Sequence, residues 1–262
     1  MAEPVLVITD GTHEQRFTAD QLSSRPDVTT VKTSGDVYHA AVTYRAIPLL
    51  ALLGSGADPK FDTIETAARD GFASQIPLAL IKRGTSGGAI GYLAIEDRAH
   101  PWPKLPGKTE TAGPFYLIWD HPERSAVTRE QWPYQVIRLA YVESPVHRWP
   151  QIAAPATLPA DAPARHGQEV FVTQCLPCHR INGGGASDTG PDFGHPMYPT
   201  QFLTDAGLRA LVRDPKSVRT WPEQRMIGFS KALISDADLD ALMAYLHAMA
   251  SAGCTGASCL KP

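Results

Sequence analysis

The rhythm of hydrophobic and polar positions changes partway along this chain. Up to about residue 150, short apolar runs of strand length alternate with Gly- and Pro-rich breaks. Strands are predicted at residues 5–9, 28–33, 41–44, 63–67, 72–76, 89–95, 115–119 and 135–142. Residues 17–22 read as a capped helical turn, and residues 47–53 as a short buried helix stopped by Gly54. Strands dominate and helices do not alternate with them, which predicts an α+β domain rather than a doubly wound sheet. Beyond residue 164 the period becomes helical. Residues 165–175 should form one helix, and Thr204 should cap a second that runs to Val212 and ends before Asp214-Pro215. Ser235 should start a third, with Asp238 three residues on in a capping-box position. Leu239, Leu242, Met243, Leu246 and Met249 follow at helical spacing, and Gly253 ends the run.

Between the two patterns, residues 153–163 are mostly Ala and Pro with no apolar period, the composition of a semi-rigid linker. The predicted organisation is therefore a domain over 1–152, a linker over 153–163 and a second domain over 164–262. A chain of 262 residues is long enough for two domains, and 43% hydrophobic with 19% charged residues predicts packed cores. The net charge of −3 gives no reason to expect nucleic-acid binding. The longest apolar run, residues 47–53, is too short to span a membrane.

Four cysteines change the picture most. None precedes Cys175. Cys254 and Cys259 flank a four-residue loop and would close a small disulfide in an oxidising compartment, the alternative being two free thiols. The other two lie in Cys175-Leu176-Pro177-Cys178-His179. C-x-x-C alone is ambiguous between zinc, dithiol redox chemistry and haem. The following histidine selects haem c, because two thiols at this spacing can each add to one vinyl group of the same porphyrin while His179 turns its imidazole onto the iron. Attachment of haem c in a bacterium implies export, so a periplasmic location is expected. The start Met1-Ala2-Glu3-Pro4 reads as a mature N-terminus with an added initiator methionine.

With helices first and last around one such motif, the segment from about residue 164 to 253 resembles a class I cytochrome c domain. Gly167 and Phe171 fit the family's small and aromatic positions on the first helix, and Tyr245 fits the aromatic that packs across it from the last. Gly190-Pro191-Asp192-Phe193 resembles the loop whose proline carbonyl accepts a hydrogen bond from the proximal imidazole, which makes Pro191 its supporting residue. Arg225-Met226-Ile227-Gly228-Phe229 resembles the segment that supplies the sixth ligand, so the resemblance implies axial ligation by His179 and Met226. Met197 and His195 are the rivals, and Met243 and Met249 belong to the apolar face of the last helix. Arg209, Arg213, Trp221 and Arg225 lie in the part of the chain that could donate to haem propionates, although surface arginines are commonly just solvated.

The first domain carries a second resemblance. Residues 42–53 (VTYRAIPLLALL), 63–72 (TIETAARDGF), 89–94, 113–118 and 135–140 are similar, in order and spacing, to segments of sulfite-oxidase-type molybdopterin domains. That family holds molybdenum through a cysteine thiolate on an early strand. Residues 31–37, where it would fall, contain Thr33 and Ser34 and no cysteine. The resemblance therefore implies the fold without the metal ligand, and a bound molybdopterin is not expected. His39, His100 and His121 are the residue types of a copper or zinc site but are scattered through loops, where histidines are usually solvated. Trp102, Trp119, Trp132 and Tyr134 would serve as a docking surface, a small-molecule pocket or core.

Together these readings predict a periplasmic electron-transfer protein with one covalent haem c, a redox partner protein, and a first domain that docks that partner. No catalytic constellation is visible, so an enzyme is not the leading expectation. The alternatives are a molybdenum-dependent sulfite-type oxidoreductase with a fused haem domain, and a haem-linked small-molecule sensor.

Overall fold

The structure, a computed structural model, describes residues 5–34, 37–38, 40–54 and 58–253. The chain forms two compact units, Met1–Ser144 and Pro145–Pro262. Cys254 and Cys259, and with them the disulfide expectation, lie outside the described residues.

In the first unit, β1 (Val5–Thr9) and β2 (Glu14–Thr18) form an antiparallel hairpin that turns through Gly11 at positive φ. Thr18 then caps α1 (Ala19–Ser23): its hydroxyl accepts from the Gln21 N–H, and the Gln21 side chain accepts in return from the Thr18 N–H. β3 (Thr29–Ser34) pairs antiparallel with β4 (Ala41–Pro48), which leads into α2 (Leu49–Leu53). Strand β4 runs to Pro48, into the stretch expected to be helical from residue 47. Pro48 biases the residue before it towards extended backbone and itself sits at ψ 126°, so the helix cannot start earlier than Leu49. There follow β5 (Thr63–Ala68), β6 (Gln75–Pro77), α3 (Leu78–Lys82), β7 (Ile90–Ile95), β8 (Phe115–Asp120) and β9 (Val136–Val142). β6 starts later than the predicted strand over 72–76 because the turn at Asp70-Gly71 uses the preceding residues. There Gly71 has φ +90° and Asp70 accepts from the Phe72 N–H.

The strands divide between a mixed sheet of order β2-β1-β9-β5-β6 and an antiparallel sheet of order β3-β4-β7-β8. Among the described residues, the parallel pair of the first sheet joins β1 to β9, the first and last strands of the unit. The expected α+β class holds for this unit. Its core buries Leu6, Ile47, Ile64, Ile76, Leu93 and Leu139 together with Tyr44, Tyr116 and Trp119. The aromatics of this core meet edge-on, with Tyr44 and Trp102 centroids 5.1 Å apart. Trp119 is a core residue with its indole N–H donating to the Gln131 carbonyl, as is Trp102; neither lies on the surface.

The second unit is mainly helical. It contains α4 (Pro145–Arg148), α5 (Pro163–Val170), a wider π turn over Phe171–Cys175, and a two-residue parallel pair of β10 (Arg180–Ile181) with β11 (Asp192–Phe193). α6 (Pro199–Phe202), α7 (Asp205–Arg213), α8 (Pro215–Val218) and the long α9 (Asp236–Gly253) complete it. Thr204 caps α7 through its hydroxyl, and Ser235 caps α9 in reciprocal bonds with Asp238, both as the sequence predicts.

The segment expected to be a linker is packed into this unit, which begins at Pro145 rather than at residue 164. Ile152 is fully buried, and its carbonyl accepts from the Tyr245 hydroxyl at 2.7 Å. The Ala154 N–H donates to the Gln168 side chain, and the Arg165 guanidinium grips the Leu158 and Pro159 carbonyls. The Ala/Pro run has no helix or sheet of its own, and the α5 side chains of Arg165 and Gln168 satisfy part of its backbone.

Candidate functional site

The site grows from the contact between α5 and α9. Gly167 faces the Ala241 carbonyl so closely that no Cβ would fit, and this lets the two helix backbones approach. One turn on, Phe171 is fully buried with its ring 5.4 Å from Tyr245 and 5.9 Å from Phe193. The three positions singled out in the sequence on these helices therefore meet at one point.

From Phe171 the helix widens, and the Leu176 N–H reaches back to the Phe171 carbonyl at 2.9 Å. The Cys178 and His179 N–H groups then both donate to the Cys175 carbonyl, at 3.1 and 2.9 Å. This tight turn carries two half-buried thiols, neither in a disulfide, and an imidazole within five residues. The loop that returns over it is fixed by the Gly190 N–H donating to the Cys178 carbonyl at 2.7 Å.

His179 Nδ1 lies 2.9 Å from the Pro191 carbonyl oxygen. A carbonyl can only accept, so Nδ1 carries the proton and Nε2 presents its lone pair. The backbone passes very near the ring: a Cβ on Gly190 would come 2.6 Å from Nδ1. Phe193 also packs against the ring, with its centroid 4.6 Å from that of His179. Burial holds the imidazole below its ordinary pKa, opposed by the Pro191 carbonyl, so the neutral, ligating form is favoured. A turn offering two thiols and one oriented, neutral imidazole fits the donor set that haem c requires.

Met226 is half-buried in an irregular stretch, three residues before Phe229, which is anchored in the core. Of its rivals, Met197 and His195 are exposed, while Met243 and Met249 are buried in the core along α9. The cationic candidates differ in their surroundings. Arg209 is ion-paired with Asp240 at 2.6 Å. Trp221 is exposed with the Arg219 guanidinium 5.3 Å from its ring centroid, and Arg225 is exposed. Arg213 is engaged with backbone carbonyls, a role that sequence reasoning missed. Its acceptors lie 16 to 23 residues away, so no local pattern betrays them.

In the first unit, Thr33 is buried and its hydroxyl donates to the Trp119 carbonyl at 2.9 Å, tying β3 to β8, while Ser34 is exposed. His100 pairs with Asp97 and His121 lies near Asp120 and Glu123; His39 falls outside the described residues. Among the described residues no three His, Cys, Asp or Glu side chains cluster to hold a metal ion.

The second unit is thus a small helical domain built around a thiol–thiol–imidazole turn. The family model for cytochrome c matches residues 164–250, which identifies this unit as a cytochrome c domain, a family that binds haem c covalently and uses it for electron transfer. The match covers a third of the chain, all of it within the second unit. No curated protein matches the chain. No described helix is long and apolar enough to cross a membrane.

Proposed function

We propose that the protein is a periplasmic one-electron carrier with a single haem c, bound through Cys175 and Cys178 and ligated by His179 and Met226. The observation that carries this reading is the His179–Pro191 hydrogen bond on the same turn as the two thiols. When bound, haem c supplies a reversible one-electron iron couple. The chain's own residues do the rest. Pro191 fixes the imidazole plane and raises its donor strength, Phe193 and Gly190 confine the ring, and the Phe171–Tyr245 pair closes the apolar wall. A thioether opposite the imidazole would favour the reduced state and a high potential. Arg225 and Trp221 are the candidates to meet the propionates, with Arg209 available only if it leaves Asp240.

The first unit is read as a cofactor-free relative of sulfite-oxidase-type domains that docks a redox partner protein. The engagement of the Thr33 hydroxyl with Trp119 supports a site without a metal thiolate. Elemental analysis should find one iron and no molybdenum per chain; stoichiometric molybdenum would revive the oxidoreductase reading. Met226→Ala should abolish the six-coordinate His/Met spectrum and lower the potential, measured by optical redox titration. An unchanged spectrum would show that another residue is the sixth ligand.

A further inference from the structure

Arg213 ends α7, and its guanidinium gathers four acceptors. Nη1 donates to the carbonyls of Phe229 at 3.1 Å and Ile234 at 2.5 Å, and Nη2 to the Ser235 carbonyl at 3.2 Å and the Asp236 carboxylate at 3.0 Å. Three of the acceptors lie in the stretch that connects Met226 to α9, and the fourth, Asp236, is the first residue of α9. The same stretch is fixed at two further points. The Phe229 N–H donates to the Val212 carbonyl at 2.9 Å, and Gly228 crosses the Arg213 carbonyl so closely that a Cβ would overlap it. The Phe229 ring is buried in the core of the unit. Residues 219–227 have no helix or strand, so the anchorage begins two residues after Met226.

A planar fork with several donors can satisfy three carbonyls and a carboxylate together, which a lysine ammonium cannot do in the same geometry. Resting on the reading of Met226 as sixth ligand, we propose that Arg213 is the positioning residue for that ligand. It acts through the backbone of residues 228–236 and sets the thioether in place before ligation. Without it, each binding of the thioether would have to order this stretch afresh, and the fraction of chains with Met226 poised would fall.

The test uses the ferric holo-protein titrated with imidazole, which competes with the thioether for the sixth position. Arg213→Gln should bind imidazole about tenfold more tightly than the wild type, equivalent to about 1.4 kcal/mol of lost thioether ligation. Arg213→Lys should fall between the two. Met226→Ala should bind imidazole most tightly, and adding Arg213→Gln to it should give no further gain, because Arg213 acts only through Met226. Wild-type imidazole affinity in Arg213→Gln, even with a lowered thermal midpoint, would overturn the proposal and leave Arg213 a purely structural residue. An equal gain in the Met226→Ala background would also overturn it. If Arg213→Gln does not accumulate as holo-protein, Arg213→Lys carries the test, and wild-type affinity there would overturn the proposal. Failure of the underlying reading is separate: Met226→Ala would then keep the wild-type spectrum and affinity.

Discussion

His179 uses its two ring nitrogens for different purposes, and the residues around it enforce the division. Nδ1 is committed to the Pro191 carbonyl, so Nε2 is the nitrogen left to ligate. Gly190 is the residue this arrangement tolerates least in any other form. Gly190→Ala would set a methyl 2.6 Å from Nδ1 and force the ring or the loop aside, at a cost of roughly 1–3 kcal/mol. The expected result is a lower yield of covalently bound haem and a shifted low-spin spectrum, both read from absorbance per polypeptide. A variant with wild-type yield and spectrum would show that the loop moves freely. Cys175, Cys178 and His179 were legible in the sequence because local spacing dictates their chemistry, and Pro191 was legible only through the resemblance of residues 190–193 to a cytochrome c loop. Arg213 was not, because a long side chain that seeks distant carbonyls leaves no periodic trace. Met226 stands between these cases, its segment recognisable but its partner in the fold absent from any local pattern.

At the level of elements, α5 and α9 are held at their core by Gly167, Phe171 and Tyr245 and at their surface by one ion pair. His166 Nε2 lies 2.6 Å from Asp238, which also caps α9 through Ser235. The Asp238 carboxylate, by hydrogen bonding first, raises the pKa of His166 above its ordinary 6.5, and His166 in turn holds Asp238 below 3.8. The histidine contribution is fully present below pH 6.5 and is lost as the pH rises through its raised folded value. The aspartate contribution is present above pH 3.8 and is lost as the pH falls through its lowered folded value. The pair therefore stabilises most between these limits. Both side chains are substantially solvated, so the contribution is on the order of 0.5 kcal/mol. Thermal unfolding of the wild type against His166→Gln should show an advantage near pH 5.5 that shrinks by pH 8.5; an advantage independent of pH would mean the contact acts by packing. Both capped helices were predicted from Thr204 and Ser235, since a cap is a local signal. The start of α2 was not, because Leu-rich sequence suits either element and Pro48 settled the matter.

For the whole chain, the change from strand rhythm to helical rhythm separated two units correctly in kind. The place where the second begins is set by tertiary contacts that composition does not encode. Ile152 and the Tyr245 hydroxyl bond to it lie outside a segment starting at residue 164. A fragment over 145–262 should therefore be more stable than one over 164–262. Losing a fully buried isoleucine and one buried hydrogen bond costs about 2–4 kcal/mol. Denaturant unfolding of the two fragments, each loaded with haem, measures this directly. Equal midpoints would show that residues 145–163 contribute nothing to the unit.

The π turn over Phe171–Cys175 holds one residue more than a regular helix would need to join the same two ends. Gly167 must face α9 at one end, and the thiols must face their site at the other. A chain with one residue fewer between them could meet both demands by closing an ordinary helical ladder. This turn is therefore the point where the helix can gain or lose length without changing what either end faces.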